Sequence, residues 1–252
     1  MATLISWTDE TWNPVTGCSK VSEGCRYCYA EGLSLRFGWS KKPWTAANAA
    51  ENVIEHPERL GKPLTWKNPS RVFVNSMSDL WHPQVSDKFI DRIFEVMRST
   101  PQHTYQLLTK RPERAALWRN WPANVWAGTT VEDQRVALRI DWLRATPAAV
   151  KFLSCEPLIG RIDEDLRGID WVIAGGESGN HMKPGNPRWM NMAWARHLRD
   201  LTVDAGGAFF FKQDSGIRTE MRPWLVEEDG SCWEWHQYPG HHAAPVRVNI
   251  AA

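Results

Sequence analysis

The sequence predicts an α/β fold, a partial (β/α) TIM-like barrel with six or seven parallel strands. Three observations carry this expectation. Short apolar or β-branched runs recur along the chain and read as strands covered on both faces. Amphipathic helical stretches lie between them, an alternation that favours a parallel sheet. At 252 residues the chain has the size of one α/β barrel, and right-handed crossovers favour barrel closure.

The elements follow in order. Residues 4–7, Leu4-Ile5-Ser6-Trp7, supply the first strand. Residues 38–70 break the rhythm with Gly, Pro, Trp and charges, and read as an insertion after the first helix, with a short strand near Val53-Ile54. The second strand is 71–75. Residues 86–99 follow as a helix with Phe89, Ile90, Ile93, Phe94 and Met97 on one stripe and Ser86 as its cap. Strands at 104–109 and 124–128 come next. A helix over 132–145 carries Val136, Leu138, Ile140 and Leu143. Strands at 150–154 and 170–175 precede a helix over 190–205 with Met192, Trp194, Leu198 and Leu201. The last strand is 207–212. The barrel thus occupies 1–215, including the insertion 38–70. Residues 216–252, with Trp233-Glu234-Trp235, form a C-terminal cap and tail.

Composition excludes several classes. Hydrophobic residues at 42% and charged residues at 23% suit a chain with a proper core, not a disordered one. No run approaches the ~18 apolar residues of a membrane span. With 30 Lys and Arg against 29 Asp and Glu, net charge gives no global argument for nucleic acid. The 16 tryptophans serve either the core or stacking on bases. The N-terminus lacks the basic and apolar regions of a signal peptide. Five cysteines, three of them within eleven residues, do not resemble a disulfide framework. The expected setting is cytoplasmic and reducing.

In such a barrel, chemistry sits at the C-terminal ends of the strands. Those ends carry Cys18, Cys25 and Cys28; Asn75-Ser76-Met77-Ser78-Asp79 with His82; Thr109-Lys110-Arg111; Thr129 to Glu132; Cys155-Glu156; Gly175 to Gly179; and Lys212-Gln213-Asp214. Nearly every strand ends in polar or ionisable residues, which points to an enzyme. The cysteines form C-x6-C-x2-C. Thiolates suit zinc or iron–sulfur clusters. Structural zinc usually takes four ligands, so His82 would have to complete a zinc site. Three cysteines could instead leave one iron of a four-iron cluster open, whereas electron carriers usually fill all four positions with cysteine. Cys155 reads either as a hydrogen-atom donor or as a small core hydrophobe. The glycines of 175–179 mark close backbone approach to cofactor or substrate, or a tight turn. His82, His181, His236, His241 and His242 are acid–base candidates without a visible partner in the sequence.

Cys18, then Cys25-Arg26-Tyr27-Cys28, after a first barrel strand, resembles the radical S-adenosylmethionine superfamily, with six residues where three are commonest in the first gap. The resemblance implies a [4Fe-4S] cluster on Cys18, Cys25 and Cys28, with S-adenosylmethionine chelating the fourth iron and Tyr27 packing by the adenine. It implies reductive cleavage to a 5′-deoxyadenosyl radical that abstracts a substrate hydrogen. An electron donor such as flavodoxin or ferredoxin is the implied partner. Asn75, Ser76, Ser78 and Asp79, with Thr109-Lys110, resemble the spore photoproduct lyase branch. From Trp7-Thr8 to Phe211-Lys212-Gln213 the chain also resembles a phage-associated three-cysteine family of unassigned function. Under this reading Asp79 pairs the methionine ammonium and Lys110 its carboxylate, Ser76, Thr129 or Glu156 meets the ribose, and Glu177 is a further cofactor candidate.

The expected substrate is a nucleobase, nucleotide or nucleic acid, because Trp39, Lys41, Lys42, Trp44, Trp66 and Lys67 could form a stacking and phosphate-binding flap. A non-catalytic nucleic-acid-binding protein stabilised by zinc or a cluster is the alternative. A barrel hydrolase with Asp79, His82 and Glu156 as metal ligands ranks last, since it leaves the cysteines unexplained.

Overall fold

The computed structural model describes residues 3–179 and 187–249 and divides into two compact units. One is Met1–Thr129 with Asp141–Ala149; the other is Thr130–Ile140 with Val150–Ala252. His181 lies outside the described residues.

The first unit contains, in chain order, β1 (Glu10–Trp12), β2 (Val15–Thr16), α1 (Tyr29–Arg36), α2 (Ala49–Asn52), β3 (Ile54–Glu55), β4 (Arg71–Val74), α3 (Asp87–Ser99), β5 (Thr104–Thr109), α4 (Pro112–Leu117) and β6 (Val125–Thr130). β1, β4, β5 and β6 are neighbours in that order and all parallel. Its core packs the apolar stripe of α3, with Ile90, Ile93, Phe94 and Met97 fully buried, against Trp12, Val72, Tyr105 and Val125. Each such side chain contributes roughly 1.5–3 kcal/mol on burial. Ser86 caps α3 as the sequence predicts, its hydroxyl accepting from the Phe89 N–H.

The first strand lies six residues beyond the predicted one. Leu4 is 82% exposed, and the strand is Glu10–Trp12. Asp9 sets its register: its N–H donates to the Arg71 carbonyl at 3.0 Å, and its carboxylate takes the Arg71 N–H at 2.8 Å. Among the described residues β1 pairs on one side only, with β4, so Glu10 and Thr11 stay half-buried and no apolar run announces the strand. Trp7 still reaches the core, packed on Phe73 at 4.7 Å.

Residues 38–70 fold onto this unit. β3 pairs antiparallel with β2. Trp44 is buried, its indole N–H on the Ser40 hydroxyl and its backbone N–H on Glu31. Trp66 packs against the core, edge-on to His103. These two indoles are structural, which removes them from the expected stacking flap.

α5 (Arg139–Ala145) follows. The predicted 132–145 helix is shorter than expected, being a 3-10 turn at Gln134–Val136 and then α5. Leu138 is exposed and Arg139 is buried, donating to Glu132 at 2.8 Å and to the Thr130 carbonyl at 2.9 Å.

The second unit continues with β7 (Val150–Cys155), β8 (Trp171–Gly175), α6 (Met192–Asp204), β9 (Ala208–Gln213), β10 (Leu225–Val226), β11 (Cys232–Glu234) and β12 (Val246–Val248). β7, β8 and β9 are parallel neighbours, buried almost throughout. β10 to β12 form an antiparallel sheet within the predicted cap region. Four parallel strands and then three, in sequential order, make the α/β topology that a partial (β/α) barrel requires. Among the described residues no helix is long and apolar enough to cross a membrane.

Candidate functional site

In the first unit the segments that follow β4 and β5 meet the cysteine loop. Gly17, just before Cys18, has φ +82°, and a Cβ there would sit 1.9 Å from the Asn52 carbonyl oxygen. Only glycine lets the chain pass at that point. The Gly17 N–H donates to the Met77 carbonyl at 3.0 Å, which ties the loop to the end of β4. Cys28 stands at the N-terminus of α1, where the nearby backbone N–H groups of Glu31 and Ala30 favour its thiolate.

Arg111 joins the loop to β5. Pro112 opens α4 and keeps Arg111 out of the helical region. The Arg111 Nη1–H donates to Cys18 Sγ at 3.5 Å and to Asp79 at 3.2 Å. Its Nη2–H donates to the Ser19 carbonyl at 2.8 Å and hydroxyl at 3.0 Å. Asp79 also accepts from Thr109 Oγ1, the Lys110 N–H and the Trp81 N–H. Four donors occupy both its oxygens, so its acceptor capacity is spent inside the protein. His82 accepts the Gln84 N–H on Nδ1, so Nε2 carries the proton and donates to Ser19 Oγ at 2.9 Å. This makes His82 a support for Ser19.

Burial pushes the Cys18 thiol up to about 12, helped by Asp79 and opposed by Arg111. Burial also raises Cys28, opposed by the Glu31 N–H and the Lys110 charge. Cys28 adds to the rise of Cys18, and Cys25 to that of Cys28. Burial lowers His82 to about 4, helped by Arg111. Burial disfavours the Arg111 charge, but Asp79 and Cys18 outweigh it and hold Arg111 above its ordinary range. Among the described residues, as placed, no three His, Cys, Asp or Glu side chains form a group able to hold a metal ion.

The remaining predicted residues fall into two sets. Asn75 has φ +63° at the end of β4; its Oδ1 accepts the Val15 N–H, while its buried Nδ2 has no hydrogen-bond partner among the described residues. Ser76 bonds Asn13, and its carbonyl takes the Tyr29 hydroxyl. Ser78 donates to the Val15 carbonyl. Tyr27 lies half-buried under the Arg26 guanidinium. Thr129 is fully buried, donating to the Thr109 carbonyl.

In the second unit Glu156 pairs with Lys212 at 2.6 Å. Glu177 is buried and takes three donors of Arg188. Cys155 is fully enclosed, its thiol raised by burial and by Glu132. The glycines of 175–179 approach the chain itself: a Cβ on Gly176 would sit 2.3 Å from the Ser215 nitrogen. Gly176 N–H donates to Gln213, Gly216 N–H to Glu177 and Gly179 N–H to Gly216, a parallel extension of β8 along the end of β9. A cavity of about 950 Å³ lies on α6 and the cap strands, lined by Arg196, Arg199, Trp233 and Trp235 among others. Arg199 pairs there with Glu227 and Asp200, and Arg196 with Glu228.

Arg111 is the residue that sequence reasoning passes over. It stands in the noted Thr109-Lys110-Arg111 stretch, and only folding shows which of the two cations meets the sulfur. No curated protein and no solved structure matches the chain. A family model described as a protein of unknown function, DUF5131, matches residues 2–239. With that match over nearly its whole length, the chain belongs to the DUF5131 family.

Proposed function

We propose that this chain is a radical S-adenosylmethionine enzyme whose Cys18, Cys25 and Cys28 hold a [4Fe-4S] cluster. The carrying observation is the guanidinium of Arg111 donating to the Cys18 sulfur at 3.5 Å, with the Lys110 charge favouring the Cys28 thiolate beside it. Hydrogen bonds and positive charge around thiolate ligands suit a metal group that carries excess negative charge on sulfur. A cluster bound there would supply the electron for reductive cleavage of S-adenosylmethionine. The chain's own residues bind and orient. Lys110 would meet the methionine carboxylate, and the Asn75 Nδ2–H, without a partner among the described residues, would offer a donor to an oxygen of the cofactor. Asp79 is reassigned from the methionine ammonium to anchoring Arg111, because its oxygens are occupied.

The substrate part of the proposal is a nucleobase, nucleotide or nucleic acid. It keeps the exposed Trp39, stacked with Phe37 at 5.3 Å, and Lys41 nearby in sequence; it loses Trp44 and Trp66. The test is anaerobic reconstitution with iron and sulfide, then S-adenosylmethionine and dithionite. The proposal requires methionine and 5′-deoxyadenosine as products. A reconstituted protein that leaves S-adenosylmethionine intact refutes the enzyme.

A further inference from the structure

Arg111 carries more than a stabilising role. Its guanidinium is 12% exposed and is held on three sides: by Asp79, by the Ser19 carbonyl, and by the Ser19 hydroxyl that His82 fixes in turn. A planar fork held this way has one orientation, and in that orientation Nη1 meets Cys18 Sγ. Asp79 is in turn fixed by the end of β5 through the Thr109 and Lys110 donors, and locally by the Trp81 N–H. Cys18 thus sits on a loop, while the charge beside it is referenced to the sheet.

We infer that Arg111 is a positioning residue that holds Cys18 and raises the reduction potential of the cluster proposed on Cys18, Cys25 and Cys28. The inference rests on that proposed cluster. A fixed cation donating to a ligand sulfur withdraws negative charge from it and stabilises the reduced form. Lysine at 111 would keep a charge but lose the fork that bonds sulfur, Asp79 and Ser19 together.

The experiment measures iron, acid-labile sulfide and the cluster's midpoint potential in the reconstituted wild type, Arg111→Met and Arg111→Lys. Arg111→Met should retain a cluster at a potential lower by at least about tenfold in the one-electron equilibrium constant, about 59 mV. Arg111→Lys should fall between. A folded Arg111→Met protein that no longer holds the cluster also supports positioning of Cys18. Wild-type cluster content and potential in both variants overturns the role of Arg111 while leaving the cluster in place. A wild type that takes up no iron or sulfide overturns the proposed cluster itself. If Arg111→Met does not fold, Arg111→Lys decides: an unchanged potential refutes the inference.

Discussion

At the strand ends of the first unit, Arg111 faces a cysteine sulfur; at those of the second, Lys212, Arg188 and Arg222 each face a carboxylate. Both units finish their strands in ionisable residues, and both place a cysteine near such an end, half-buried Cys18 in the first and buried Cys155 in the second. The second unit closes its charges into pairs: Glu156 with Lys212, Glu177 with Arg188, Asp214 with Arg222. Its Cys155 sits inside, near Glu132, where negative charge further disfavours a thiolate. In the first unit Asp79 fixes a cation whose remaining donors reach a thiol and its neighbour. Polar strand ends alone therefore do not mark a site. What separates the two is whether the charges are spent on one another or directed at a potential ligand atom.

The largest expected effect breaks the comparison at the cysteines. Cys18→Ala, Cys25→Ala or Cys28→Ala should abolish iron and sulfide binding, since a methyl group cannot replace a thiolate ligand. Cys155→Ala and Cys232→Ala should leave it intact. Metal analysis after anaerobic reconstitution checks both halves, and a cluster lost on changing Cys155 would move the site to the second unit.

Glu177→Gln should act on stability and not on metal. Removing one partner of a buried pair leaves an uncompensated charge, at a cost of about 3 kcal/mol. Urea denaturation of the metal-free protein measures it. Lost iron with unchanged stability would contradict a structural Glu177.

Lys110→Ala should weaken S-adenosylmethionine binding and spare the cluster. A hydrogen bond to a charged group contributes roughly 1.5–3 kcal/mol, about 10- to 150-fold in affinity. Equilibrium binding to the reconstituted variant reads this directly; wild-type affinity would place the methionine carboxylate elsewhere.

His82 gives the smallest effect, and its sign is fixed by burial. Its folded value of about 4 lies below the ordinary 6.5. As pH falls from 6.5, the unfolded chain takes the proton first. Stability that is full above 6.5 is therefore lost towards pH 4, by about 2 kcal/mol at most after solvent screening. His82→Gln should flatten the stability of the metal-free protein across that window; an identical pH profile would show that other groups govern it.

Much of the fold was legible because the strands of both units are apolar runs and α3 carries a clean stripe with a serine cap. The first strand was not, because an edge strand held by Asp9 and Arg71 needs no apolar run. The site was legible as far as the cysteine spacing goes. Asp79 reads in the sequence as the partner of the methionine ammonium because a carboxylate after a strand gives no sign of its donors, and here the donors are Trp81 in its own loop and Thr109, Lys110 and Arg111 at the end of β5. The glycines of 175–179 misled for a similar reason: close approach is real, but the neighbour is Ser215.

The central claim is that the first unit's cysteines, and not those of the second, hold a four-iron cluster. Iron and acid-labile sulfide per chain, with the visible and electron paramagnetic resonance spectra of protein reconstituted without oxygen, test it most directly. The account predicts about four of each in the wild type, a reducible cluster signal, and none in the protein with Cys18, Cys25 and Cys28 all replaced by Ala. A full complement of iron and sulfide in that triple variant would contradict it.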